Sequence, residues 1–151
     1  MPVIDNGISR PVDVSDFIAN TFAPIGGAAI NFDGELAAIR GDSTYIIDAT
    51  LRLQGLLPTS GNSGIDFHPD NAGLQSAPGT DMIFAASGSP QVEVYSTGVS
   101  YNRCLIVPTR DPIIGPIKAA KDASGNVVLV GATAHGVVIV TLAPAQLVGC
   151  S

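Results

Sequence analysis

Residues 115–144 read GPIKAAKDASGNVVLVGATAHGVVIVTLAP, and this stretch decides the fold. It opens on Gly115 and passes through the small apolar pair Ala119-Ala120 to the turn dipeptide Ser124-Gly125. An apolar run resumes at 127–130, breaks at 132–136 and is followed by a third run at 137–142. Apolar segments of about 4–8 residues separated by turn residues are the pattern of a meander of short strands. Glycine closes such turns because it takes a positive φ at no steric cost.

The same grammar occurs twice upstream. One unit starts at Gly27 and runs GAAINFDGELAAIRGDSTYIIDATLRLQGLLPT; a second starts at Gly64 with GIDFHPDNAG and continues as DMIFAASGSPQVEVYSTGVSYNRCLIVPT from Asp81. Their first turns are Asp33-Gly34 and Asp70-Asn71. Second strands are expected at 36–39 and 82–86, third strands at 45–48 and 92–95, and fourth strands at 51–57 and 103–108. The third unit supplies three strands. Alternation of apolar and polar residues in Val92-Glu93-Val94-Tyr95 and Leu51-Arg52-Leu53-Gln54 supports extended structure. The opening strands, such as Ala28-Ala29-Ile30, are small and apolar, which suits an inner position where sheets crowd about an axis. Self-similar units of this length are the mark of a repeat architecture. The stretch before the first unit reads as one or two outer strands, 12–17 and 18–23, with 13–20 the one place where a helix competes.

Composition agrees. Charged residues make up 13% of the 151, and there are 17 glycines and 11 prolines. Solvated helical faces need more charge than this, while many short strands and turns need that much punctuation. The expected result is an all-β chain with almost no helix. Net charge is −6, from 7 basic and 13 acidic residues. An acidic surface repels phosphate backbones, and no basic cluster is present to meet an anionic bilayer. Neither nucleic acid nor a membrane is therefore an expected partner. The apolar run 137–140 is far short of the roughly 20 residues that span a bilayer, and the polar start 1–10 does not read as a signal peptide.

The run Ser43-Thr44-Tyr45-Ile46-Ile47-Asp48, then Gly55-Leu56-Leu57-Pro58, then Gly64-Ile65-Asp66-Phe67-His68-Pro69-Asp70-Asn71 resembles a blade of the YVTN/WD40-like β-propellers. There a strand ending in Asp is followed by a returning strand and then by an apolar strand closing on a Pro-Asp-Gly-like turn. Asn71 stands where Gly is usual, a residue that also tolerates the left-handed conformation. The chain has no Trp, so the Trp-Asp pair of true WD40 repeats is missing. The resemblance spans about residues 26–142. It implies four-stranded antiparallel blades: outer strands in 1–26, blades at 27–63 and 64–114, and a partial blade at 115–151. It does not choose a function, because propellers host scaffolds, lectins, lactonases and surface-layer proteins.

Candidate chemistry is sparse. His68 sits between Asp66 and Asp70, where an imidazole flanked by carboxylates suits a base or a metal ligand. The competing reading is a plain turn, with Asp70 bonding its own backbone. His135 falls in the break 132–136 and reads as a hairpin loop. Asp33, Asp48 and Asp66 stand near strand ends, but no spacing makes them a site for a hard cation. The segment 61–64 is a connecting loop rather than a phosphate cradle, since no Lys or helix follows. In Thr109-Arg110-Asp111-Pro112, Arg110 and Asp111 read as a local ion pair ordering a loop, and Tyr95 and Tyr101 are the aromatics that a binding role would expose. Cys104 and Cys150 are read first as two incidental thiols, with a bridge tying down the C-terminus as the alternative in an oxidising compartment. No zinc spacing, catalytic residue or cofactor motif is found, and binding residues are not assigned.

The expectation is a non-enzymatic propeller module for binding and assembly, outside the cytoplasm, on the cell surface or secreted. Three blades are too few for a ring and the edge at 137–140 lacks a partner strand. A strand from residues 17–23 of one chain completing a blade of the next would give a homodimer, with about six blades and two-fold symmetry. The alternatives are a metal-dependent propeller hydrolase of the lactonase type, or a piece of a larger or engineered propeller without separate activity.

Overall fold

The computed structural model describes residues 2–5, 8–11, 26–41, 43–57, 64–73, 77–98 and 100–150. The chain is all-β. After a hairpin, β1 (Pro2–Asp5) and β2 (Ile8–Pro11), come three antiparallel meanders. The first is β3 (Gly27–Ile30), β4 (Leu36–Arg40), β5 (Thr44–Asp48) and β6 (Leu53–Leu57). The second is β7 (Ile65–Phe67), β8 (Met82–Ala85), β9 (Gln91–Ser96) and β10 (Asn102–Pro108). The third is β11 (Ile113–Lys121), β12 (Val127–Thr133) and β13 (Gly136–Leu142), and a 3-10 helix, Pro144–Cys150, follows. Each expected strand of the three units falls on an observed one. The strands expected at 12–17 and 18–23, and the helical alternative at 13–20, lie outside the described residues.

Two of the expected turn glycines do what their position demands: Gly34 has φ 71° and Gly125 has φ 83°. Asn71 does not take a left-handed conformation; in that loop the positive φ falls on Gly73, at 78°. The turn itself closes at Asn71, whose N–H donates to the His68 carbonyl at 2.9 Å.

The second sheet lies between the other two and buries both faces. Toward the first sheet, Ile65, Phe67, Ile83, Ala85 and Tyr95 pack on Leu36, Ala38, Ile46 and Leu57. Toward the third, Met82, Phe84, Val92 and Val94 pack on Ile113, Ile117, Val127, Leu129 and Leu142. Strand periodicity of two sends alternate residues of β8 and β9 to opposite interfaces. The alternation in β9 thus separates two buried contacts rather than core from solvent, and Glu93 is buried with only 7% of its surface exposed. A smaller cluster, Ile39, Ile47 and Leu51, occupies the far side of the first sheet.

The third sheet is packed on one side and open on the other. Ile114, Val130, Val137 and Ile139 are exposed, and β13 is an outer strand with no neighbour beyond it among the described residues. The chain after β13 does not add a fourth strand. Pro144 ends the extended run, and the 3-10 helix turns back so that Leu147 and Cys150 are buried in the cluster between the second and third sheets. Cys150 is bridged to Cys104, with Cα atoms 5.2 Å apart, so the reading of incidental thiols is overturned. A bulge in β10 prepares this bond: the register steps between Arg103 and Leu105, leaving Cys104 as the extra residue. The bulge lets Cys104 and Leu105 both face the same core.

Candidate functional site

The first strands of the three meanders meet. β7 lies against both β3 and β11, and Gly64, just before β7, makes the approach to β11 possible. A Cβ there would lie 2.7 Å from the Gly115 carbonyl oxygen and 2.8 Å from the Pro116 carbonyl carbon. Around this contact is a cavity of about 340 Å³ lined by residues 26–29, 64–66 and 115–118. Its walls are mostly Gly, Ala, Ile and Pro, with Asp66 and Lys118 as the charged residues. Asp66 is buried, and burial raises its pKa above the usual carboxylate range. The rise is opposed by the Ala119 N–H, which donates to Asp66 Oδ2 at 2.8 Å, by the Lys118 charge, and by the Phe67 N–H, which donates to Oδ1 at 3.0 Å. Asp66 thereby ties the inner strand of one sheet to that of the next. A carboxylate holding two backbone N–H groups is a cross-strand clamp first and a cavity-facing anion second.

The turns beyond these strands continue the connection. His68 is buried, and its Nδ1 accepts the Asp70 N–H at 3.0 Å. This caps the turn with the imidazole, not with the Asp70 carboxylate as the sequence suggested. Asp70 instead accepts from Lys121 Nζ at 2.7 Å, linking the second and third sheets, both side chains about two-fifths exposed. Burial lowers the His68 pKa, with the nearby Asp70 charge opposing. The Phe32 N–H donates to the Asn71 carbonyl at 3.2 Å, linking the first and second sheets at the same end. His68 is thus held between turn and core, its ring centroid 6.3 Å from that of Phe84.

Between the first and second sheets runs a polar seam that sequence reasoning missed. Glu93 Oε2 accepts the Tyr95 hydroxyl at 2.8 Å, and Oε1 accepts Arg103 Nη1 at 3.1 Å. The fully buried Arg40 enters the same field: burial lowers its pKa, while the charges of Tyr95 and Glu93 raise it. Tyr95 is buried, and burial with the Glu93 hydrogen bond drives its pKa far up. Tyr101 is half-buried, its ring lying over Gly55. Neither tyrosine is the exposed aromatic that a binding role for the 110–112 loop would need. The one signal in sequence was a Glu between two strand valines.

At the opposite end of β11, the 110–111 loop and the β12–β13 turn border a cleft of about 580 Å³ lined by Arg110, Asp111, Thr133, His135, Val137 and Val138. Asp111 Oδ1 faces His135 Nδ1 at 3.8 Å. The expected Arg110–Asp111 pair is replaced by this contact between two loops. Asp48 is consumed locally: Oδ1 accepts the Thr50 hydroxyl and the Thr50 and Arg52 N–H groups, and Oδ2 accepts Gln54. Asp33 is an exposed turn residue. The structure does not bring Asp33, Asp48 and Asp66 together, and no group of three or more His, Cys, Asp or Glu suited to a metal ion occurs among the described residues. Of the loop 61–64, Gly64 is described and the rest lies outside the described residues.

No family model matches the chain, and no curated protein matches it. Among solved structures it is similar to the hydrazine synthase of Kuenenia stuttgartiensis, with a TM-score of 0.54 at 16% identity, over 78% of this chain and 34% of that one. The chain thus spans about a third of the length of that neighbour, and the likeness is one of fold.

Proposed function

We propose that the chain is a non-enzymatic binding and assembly module built as three blades of a β-propeller. The observation that carries this reading is the convergence of β3, β7 and β11, the first strand of each meander, on one cavity. First strands innermost, sheets stacked face to face and equivalent turns tied at one end are the construction rules of a propeller. Blades 27–63, 64–114 and a partial 115–151 follow from it.

Self-association belongs to the same reading. Propellers close with about 4–8 blades, and the third sheet leaves Ile114, Val130, Val137 and Ile139 in solvent. A second copy related by a two-fold axis supplies three more blades and covers such a face. The Cys104–Cys150 bridge supports an oxidising location, on the cell surface or outside it. The charge of −6 supports partners other than nucleic acid. No observation favours the hydrolase: Asp48 and Asp66 are spent on backbone and side-chain donors, and Asp33 stands apart from both in an exposed turn.

Light scattering coupled to gel filtration tests the assembly. A mass near twice 15.3 kDa is expected; a mass equal to one chain across a hundredfold range of concentration rejects self-association.

A further inference from the structure

We propose that the outer edge of β13 takes up an extended peptide by strand addition, and that the cleft at Arg110 and His135 receives the peptide's C-terminal carboxylate. This rests on the reading of the chain as a binding module. It names a ligand class that self-association does not require, on the strand edge beside the face that a second copy would cover.

The edge follows from the register. Thr133 pairs with Gly136 across a two-residue turn, so these two exchange hydrogen bonds. Hydrogen-bonded and non-hydrogen-bonded pairs then alternate along an antiparallel ladder. Gly131↔Val138 and Leu129↔Val140 are bonded pairs, while Ala132↔Val137, Val130↔Ile139 and Val128↔Thr141 are not. The N–H and C=O groups of Val137, Ile139 and Thr141 therefore point away from β12. No described strand lies on that side. The edge 136–142 also contains none of the charges or prolines that usually blunt an exposed strand. The first two sheets each carry a fourth strand, and the third has three among the described residues. The chain's own C-terminal segment is kept from this place, because the disulfide holds it against the second sheet.

The occupant's chemistry is set at the Gly136 end. A peptide running antiparallel to β13 brings its C-terminus there. The cleft at that end is lined by Arg110, Asp111, Thr133, His135, Val137 and Val138, of which Arg110, Thr133 and His135 can donate hydrogen bonds. Arg110 has no carboxylate partner among the described residues, whereas Asp111 faces His135. A planar guanidinium matches a carboxylate in two parallel hydrogen bonds. Val137 and Ile139, exposed on one side of the strand, favour β-branched side chains at every second position of the added strand. Main-chain bonds along an edge with a terminal carboxylate captured at one end is a combination that gives both affinity and direction.

The probe is an N-terminally fluoresceinated hexapeptide alternating threonine and valine and ending in a free carboxylate, read by anisotropy against the same peptide as a C-terminal amide. The free acid is expected to bind roughly 10- to 100-fold more tightly, the range of a hydrogen bond to a charged group. Arg110→Gln, at an exposed position, should abolish that preference without changing the amide's affinity. Hydrogen exchange at the Ile139 and Thr141 amides should slow on binding, whereas Val138 and Val140, already bonded to β12, change little. Equal affinity of acid and amide overturns the carboxylate assignment. Unchanged exchange at Ile139 and Thr141 overturns the edge. Absence of binding by either peptide up to millimolar concentration overturns both, and the mass of the peptide-free chain then still decides self-association on its own.

Discussion

At the scale of single residues, the titratable groups work as joints of the backbone, and their pH behaviour should show it. His68 holds the Asp70 N–H through an unprotonated Nδ1, and burial depresses its pKa. A base whose folded pKa is lowered favours the fold when neutral, so its contribution is complete above the ordinary imidazole value of about 6.5 and is lost as pH falls through the folded pKa. Wild type should lose stability on that descent, and His68→Asn, which keeps a short side-chain acceptor but cannot titrate, should not. Urea midpoints between pH 7.5 and 5 check this; parallel curves for the two proteins would refute it. Asp66 behaves oppositely. Burial raises its folded pKa, so its contribution is present below the unfolded carboxylate value, about 3.9, and is lost as pH rises through the folded one. Asp66→Asn should therefore gain on wild type as pH rises from about 3.5 to 6, and a difference that does not change with pH would refute the assignment.

At the scale of elements, close approach of backbones is the constraint most open to test. Gly64 faces main-chain atoms of 115–117, while Gly55 faces the ring of Tyr101. Main chain packed against main chain retreats less readily than a half-buried ring swings aside. Gly64→Ala should cost about 3 kcal/mol or more and Gly55→Ala clearly less, since overpacking typically costs about 1–3 kcal/mol. Equal losses in chemical denaturation would show that the inner strands are not held as described. Strand positions in the three units were legible because turn dipeptides and apolar runs are local signals. The hairpin β1–β2 was passed over although Asn6-Gly7, between its strands in sequence, is among the strongest hairpin dipeptides. What the alternation in β9 could not reveal was that both sides of the strand are interior. That depends on where the second sheet sits between its neighbours, which the local pattern around Glu93 and Tyr95 does not contain. The clamp at Asp66 was hidden for the same reason: its acceptor role needs Ala119, which is 53 residues away in sequence.

At the scale of the whole molecule, the chain has a repeated frame and two ends that are finished differently. The first sheet has its far side buried at Ile39 and Ile47, while the third presents an apolar face and, among the described residues, an edge without a partner strand. The disulfide maintains this asymmetry, since it directs the last turn of chain into the core between the second and third sheets. The sequence could not choose between thiols and a bridge, because the pairing depends on a bulge in β10 that brings Cys104 round to the core. The bridge closes a loop over a sequence separation of 46, for which chain-entropy bookkeeping gives about 4 kcal/mol of stabilisation. Leu147 and Cys150 also fill the core, so removing the bridge both frees the unfolded chain and loosens a packed segment. The double variant Cys104→Ala, Cys150→Ala should lose about 2–5 kcal/mol in urea unfolding. Its amides in 144–150 should exchange faster than in wild type, while those of β4 and β5, two sheets away, change little below the unfolding transition. Addition of a small dithiol to wild type should reproduce the loss and leave the variant unaffected. A variant as stable as wild type, with 144–150 equally protected, would mean that packing alone holds the C-terminal segment and that the bond adds nothing to it.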